Sequence, residues 1–171
     1  DHSWIMSPYF VPGEPGSLML AGQGWRGVDV RVLTNSLAAT DVPLVHAGYA
    51  RYRPLLLRQG VRLYELKPGA RATDRTLVGS SGASLHSKLI VVDGQRGFVG
   101  SFNFDPRSAL LNTELGFVIH NPDLARQIEQ VFDTEVPRNA YTLRLSETGQ
   151  IEWLDGATPP TVQHIEPGST W

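Results

Sequence analysis

The apolar positions of this chain recur with two different periods. In "VDVRVLTN" (28–35) and "VRLYEL" (61–66) apolar and polar residues alternate, the period of a half-buried strand. "WIMSPYFVP" (4–12) is a short apolar run closed by Pro12, Gly13 and Pro15, which predicts a buried strand and a turn. Between these strands the spacing lengthens. Residues 17–26 predict a short helix. A longer helix is expected from a cap at Thr40 or Asp41, through Pro43 in its first turn, to about Gln59, where Gly60 stops it. Strand and helix thus alternate, the signature of a sheet built with crossover connections.

The second half has another rhythm. "LHSKLIVVD" (85–93) predicts a strand, "GQR" a turn, and "GFVGS" (97–101) the return strand of a hairpin; "ELGFVIH" (114–120) adds a further strand. Pro122 opens a helix reaching Val136, with Leu124, Ile128, Val131 and Phe132 spaced for one buried face. "YTLRL" and "IEWL" predict a terminal hairpin around Gly149. Two stretches carry no period. Residues 67–84, rich in Gly and Ser, predict a surface loop, and the tail 156–171, with Pro159, Pro160 and Pro167, is expected to be irregular. The reading is a single domain over 1–171, without internal repeats.

Composition excludes more than it selects. With 171 residues, 41% of them hydrophobic, the chain can bury a substantial core. A formal charge of −2 gives no electrostatic argument for a nucleic-acid partner. The absence of cysteine excludes disulfides and thiolate metal sites. No run approaches the length of a membrane-spanning helix, so any meeting with a membrane is expected to be peripheral. The first residue, Asp1, stands almost within a strand and the chain stops at "EPGSTW", which reads as a fragment of something longer.

One set of polar residues interrupts the apolar pattern of the second half. In "LHSKLIVVD" a period of two places His86 and Lys88 on one face of a strand. A lone His-x-Lys is weak, expected in roughly one chain in five of this length. Here Asp93, Gly100, Ser101 and Asn103 follow in H-x-K-x4-D-x6-G-S-x-N, and each fixed position cuts the chance expectation about tenfold. These side chains suit a phosphodiester. Lys88 and the Asn103 amide supply donors to non-bridging oxygens whose charge grows as phosphorus becomes five-coordinate. Ser101 either donates to the phosphate or braces the loop. Gly100 lets the backbone come close. His86, with an ordinary pKa near neutrality, suits a nucleophile or a proton donor to the leaving alcohol. The five histidines are isolated in the sequence, with no His/Asp/Glu cluster at metal-ligand spacing, and neither metal nor cofactor is expected.

The segment resembles the HKD motif of the phospholipase D superfamily. Glu114, in "LLNTELGF", is similar to the acidic residue with which that family holds its histidine. The stretches "GVDVRVLTNSLAATDVPLVHAGYARYRPLLLRQGVRLYELKP" and "GSFNFDPRSALLNTELGFVI" resemble the C-terminal half of bacterial cardiolipin synthases, most closely the C-type branch. The resemblance implies an α/β fold with a mixed, largely parallel sheet flanked by helices on both faces. It implies His86, Lys88, Asp93 and Glu114 as catalytic residues, with Asp93 supporting rather than reacting, and Lys88, Ser101 and Asn103 as phosphate ligands. It also implies two HKD motifs facing each other, one histidine forming a phosphohistidine and the other protonating the leaving group.

This chain carries one motif, since no other histidine is followed by x-Lys. The second is expected from elsewhere in a longer parent chain, leaving His86 as general acid and base, or from a second copy. The expected activity is phosphatidyl transfer between glycerophospholipids at the cytoplasmic side of a bacterial inner membrane. Phospholipase- or nuclease-type hydrolysis and an inactive isolated domain are the alternatives. His46 and Asn35 are further candidates for the substrate pocket, with packing and turn formation as their plainer roles; Asn35 stands where open α/β sheets place ligands. Arg107 and Asn112 are expected to pin the motif's loop. Trp4, Tyr9, Phe10 and Trp25 are expected in the core, with a lipid-facing surface as the alternative.

Overall fold

The computed structural model describes residues 1–70 and 84–170. The first half runs β1 (His2–Met6), α1 (Gly13–Trp25), β2 (Asp29–Asn35), α2 (Pro43–Ala50), α3 (Arg53–Arg58) and β3 (Arg62–Leu66). The second half runs β4 (Leu89–Val92), β5 (Arg96–Gly100), α4 (Pro106–Leu110), β6 (Gly116–His120), α5 (Pro122–Thr134), α6 (Val136–Asn139), β7 (Ala140–Leu145), β8 (Ile151–Asp155) and β9 (Thr161–Gln163). All described strands join one sheet in the order β6-β5-β4-β1-β2-β3-β7-β8-β9. The loop expected over 67–84 lies, for residues 71–83, outside the described residues.

The sheet is mixed and covered by helices on both faces, as expected, but its parallel share is smaller. Only β1–β2 and β2–β3 pair in parallel; every other described pairing is antiparallel. Connection length explains the division. The central strands are joined through α1 and through α2–α3, whereas β4–β5 and β7–β8 are joined by turns too short for a parallel return.

Two cores sandwich this sheet. On one face Trp4, Met6, Leu33, Leu85 and Val91 pack with Ala125, Ile128 and Phe132 of α5. On the other, Ile5, Phe10, Val30, Val32 and Leu63 pack with Leu20, Tyr49 and Leu56 of the first helices. Trp4 and Phe10 are therefore core residues, and Tyr9 turns its hydroxyl to Asp41, donating at 3.0 Å. Trp25 departs from the core expectation, being 77% exposed.

Three local expectations are corrected. The helix expected from Pro43 to about Gln59 is two helices, because Pro54 has no N–H for a continuous ladder and instead starts α3. The strand expected over 85–93 forms only from Leu89, whose partner Met6 is the last residue of β1. Pro8, just beyond, cannot donate to a ladder, so residues 86–88 stay outside the sheet. The tail is not wholly irregular: β9 pairs antiparallel with β8, and Glu166 reaches back into the domain.

Candidate active site

The motif-bearing segment folds as the antiparallel unit β4–β5–β6, whose registers decide which motif residues meet. Leu89 pairs with Val99, and Gly100 with Gly116. Just past these pairs, the Gly100 N–H donates to Lys88 O at 3.3 Å and the Ser101 N–H donates to Leu115 O at 2.8 Å. Lys88, Ser101 and Glu114 are thereby gathered at one end of the unit, with Asn103 two residues beyond Ser101. Gly100 is needed for this closeness: a Cβ there would stand 2.5 Å from Leu115 O.

Glu114 organises the cluster. Ser101 Oγ donates to Glu114 Oε2, and Asn112 Nδ2 donates to Oε1 at 3.2 Å. Asn112 is itself held by Arg107 Nε, which donates to its Oδ1 at 3.3 Å, so both residues pin the loop as expected. The bonds from Ser101 and then Asn112 hold the Glu114 carboxyl below the usual carboxylate range. Ser101 takes the bracing role: its hydroxyl is committed to Glu114 and accepts from the Leu115 N–H at 3.0 Å. Lys88 is half-buried, which pushes its ammonium pKa down against the pull of Glu114. Its Nζ donates to His86 O at 3.1 Å. The Asn103 amide oxygen is buried and accepts no hydrogen bond from the described residues, an uncompensated polar atom within the motif.

His86 is exposed, and its ring bonds to no described residue. The expected bond from Glu114 to this ring is replaced by the bonds to Ser101 and Asn112. Register is the reason: β5–β6 pairing sets Glu114 beside Ser101, while His86 lies in the stretch that β4 leaves free. Asp93 stands apart from the cluster. It sits at the opposite end of β4 in a left-handed turn (φ 54°), exchanging bonds with the backbone of His2: its N–H donates to His2 O at 3.0 Å and its Oδ1 accepts from the His2 N–H at 2.8 Å. It ties β1 to the β4–β5 turn and does not reach the cluster.

His46 and Asn35 are separate from the phosphate cluster. Asn35 is 2% exposed; its Oδ1 accepts from the Leu85 N–H at 2.9 Å and its Nδ2 donates to Pro8 O at 3.4 Å. Both ends of the amide are occupied by backbone, so the substrate-binding expectation for Asn35 is replaced by a structural one. His46 is 5% exposed, its Nδ1 facing Asn35 O at 3.2 Å and its Nε2 facing Glu166 Oε1 at 2.6 Å. A carbonyl only accepts, so Nδ1 carries a proton.

This histidine belongs to a buried charge cluster that sequence patterns did not reveal. Arg53 Nη2 touches His46 Nε2 and stands 2.5 Å from Glu166 Oε1 and 2.9 Å from Glu65 Oε1. Trp153 Nε1 donates to Glu65 Oε2 at 2.8 Å. The tertiary structure thus assembles a metal-ligand-like group, His46, Glu65 and Glu166, that is scattered in the sequence, and the Arg53 guanidinium stands between its members. In the sequence, the glutamate in the apolar strand "VRLYEL" is the feature out of keeping with a buried strand.

Burial alone would raise the Glu166 carboxyl, but bonds from His46 and Arg53 and their charges pull it from 4.5 down to about 2. A carboxyl depressed on folding stabilises the fold above its unfolded pKa and loses that contribution as pH falls through its folded one. The urea midpoints of wild type and Glu166→Gln are expected to differ at neutral pH and to converge as pH falls from about 4.5 toward about 2. A gap that stays constant across that window would show that the charge contributes nothing.

Comparison with known proteins gives the cluster a context. The family model for the cardiolipin synthase, PLD-like domain matches residues 1–136. Cardiolipin synthase C of Escherichia coli (strain K12) is 52% identical over 155 residues, covering 88% of this chain and 33% of that protein. Cardiolipin synthase A of Pseudomonas syringae pv. syringae (strain B728a) is 34% identical over 156 residues, covering 90% of this chain and 29% of that one. The chain spans about a third of the length of these curated relatives. Among solved structures, the phospholipase D family member Nuc from Salmonella typhimurium aligns with a TM-score of 0.61 at 21% identity, over 84% of this chain and 82% of that one. At that identity the likeness shows the fold alone.

Proposed function

Because the chain belongs to the family of cardiolipin synthase, PLD-like domains, we propose that it carries half the catalytic machinery of an enzyme transferring phosphatidyl groups between glycerophospholipids. The observation that supports this reading is the gathering of Lys88, Ser101, Asn103 and Glu114 at one end of β4–β5–β6, beside an exposed His86 whose ring is unpaired among the described residues. In the first step an imidazole nitrogen attacks phosphorus, and the bond to the donor's leaving alcohol breaks as a second imidazole protonates it. In the second step the acceptor hydroxyl gives its proton to that imidazole, attacks phosphorus, and the P–N bond breaks. Lys88 offsets the developing charge on the non-bridging oxygens and the Asn103 amide donates to it. His86 supplies one imidazole, as the general acid and base; the other comes from a second motif in the same protein or from a second copy.

An exposed apolar edge adjoins the cluster and suits the packing of that second half. Leu115, Phe117 and Val118 are 70%, 64% and 66% exposed. Beside them a groove of about 470 Å³ is lined by Ile90, Phe98, Phe102 and Val118, with Glu114 among its lining residues. Among the described residues no helix is long and apolar enough to cross a membrane. The proposed attachment is peripheral, at the cytoplasmic side of a bacterial inner membrane where the lipid substrates lie. The protein as its gene encodes it, incubated with vesicles of phosphatidylethanolamine and phosphatidylglycerol, is expected to form cardiolipin. Phosphatidic acid as sole product would replace transfer by hydrolysis.

A further inference from the structure

The backbone at His86 is held from both sides, and its own carbonyl accepts from Lys88 Nζ at 3.1 Å. On its C-terminal side, Lys88 O accepts from the Gly100 N–H and β4 begins at Leu89. On its N-terminal side stands Leu85, whose side chain is 1% exposed and whose N–H donates to Asn35 Oδ1 at 2.9 Å. Residues 86–88 between these contacts have no regular structure, and the His86 ring has no partner among the described residues. What holds Leu85 therefore constrains His86 from its N-terminal side, as Lys88 does from the other.

What holds Leu85 is held in turn from the far end of the chain. Asn35 O accepts from His46 Nδ1 at 3.2 Å, and His46 Nε2 faces Glu166 Oε1 at 2.6 Å, with Arg53 against both. Glu166 lies in a short turn, its carbonyl accepting from the Ser169 N–H at 3.0 Å and from Ser169 Oγ at 2.8 Å. Two residues on, Gly168 has a left-handed φ of +92°, and a Cβ there would stand 2.7 Å from the Ala38 backbone. The tail is thus strapped over the β2–α2 connection by two independent contacts, a buried carboxylate and a backbone approach that only glycine permits.

We propose that this strap is part of the catalytic apparatus: Glu166, His46 and Asn35 act as positioning residues that set the backbone at Leu85 and hence the placement of His86. The catalytic consequence rests on the function proposed above. The mechanical part, that the relay protects the Leu85 amide, stands without it.

Amide hydrogen exchange and steady-state turnover, on the protein as its gene encodes it, test the two parts separately. Asn35→Ala is expected to speed exchange at Leu85 at least tenfold while Val32, in the middle of β2, keeps its protection. Glu166→Ala is expected to act in the same direction by several-fold, and Glu166→Gln, which keeps an acceptor for His46, to stay within twofold of wild type. Should Asn35→Ala fail to fold, the Glu166 pair carries the test, since Glu166 lies at the edge of the domain. With vesicles of phosphatidylethanolamine and phosphatidylglycerol, Glu166→Ala is expected to lower kcat several-fold at nearly constant KM, with recovery in Glu166→Gln. Leu85 exchange unchanged in Glu166→Ala overturns the relay. Faster exchange with unchanged kcat overturns the positioning role. If the wild type turns over no phospholipid, the proposed function falls, and the exchange data alone decide the relay.

Discussion

Replacing His86 by alanine is expected to lower phospholipid turnover by about a thousandfold or more while leaving the fold intact. The chemical side follows from the role: a group that forms the phosphoryl bond or moves the proton of the leaving alcohol has no substitute in this cluster. Lys88 is a cation, Asn103 an amide, and Glu114 is committed to Ser101 and Asn112. The structural side follows from exposure. His86 makes no side-chain hydrogen bond to any described residue, so its removal is expected to change stability by less than about 0.5 kcal/mol. Turnover and a urea titration on the same preparation check both halves. A variant that retained most of its activity would sink the site; one that lost activity by unfolding would show that His86 holds the fold.

The second large effect is expected far from the phosphate cluster. Arg53→Met should destabilise the domain by about 3–5 kcal/mol, because it strands a buried carboxylate. The Arg53 and Glu65 side chains are 3% and 0% exposed, and their ion pair spans 2.9 Å. Burial works against the Arg53 charge, but Glu65, Tyr49 and Glu166 outweigh it and push its pKa up. Without the guanidinium, the hydrogen-bond donor left to Glu65 among the described residues is the Trp153 N–H at 2.8 Å. The double variant Arg53→Met, Glu65→Leu removes both charges and is expected to recover most of the loss, as buried pairs replaced by apolar residues commonly do. A single variant costing under about 1 kcal/mol, measured by urea unfolding, would show that water reaches Glu65. The Arg53 pair and the His86 site are expected to separate cleanly: one variant loses stability, the other chemistry.

The candidate residues around Glu114 stand close together in the sequence and those of the Arg53 cluster do not, and the difference is one of range. His86, Lys88, Ser101, Asn103 and Glu114 lie within one hairpin-and-strand unit, where spacing along the chain maps directly onto position in the sheet. The alternating pattern of 28–35 and 61–66 likewise marked β2 and β3 within a residue or so. Where the sequence reading failed, the competing constraint came from elsewhere in the fold. Leu89, not Leu85, begins β4 because β1 ends opposite it, a fact about a strand more than 80 residues earlier. Asp93 fits the motif's spacing yet serves a turn, because the same short strand that carries the motif puts its two ends apart.

By itself, then, the sequence determined the order of the main strands and helices, the family, and the types of side chain available to a phosphodiester. These are properties of local period and fixed spacing, and they survive without knowledge of what packs against what. Only the tertiary structure decided which acceptor each donor meets. It gave Glu114 to Ser101 and Asn112 instead of His86, assembled Arg53 with Glu65 and Glu166, and joined Asn35 to Leu85 across 50 residues and His46 to Glu166 across 120. Hydrogen bonds and ion pairs are satisfied by whichever partner is nearest in space once water is excluded, and nearness across such separations is set by the packing of the whole sheet.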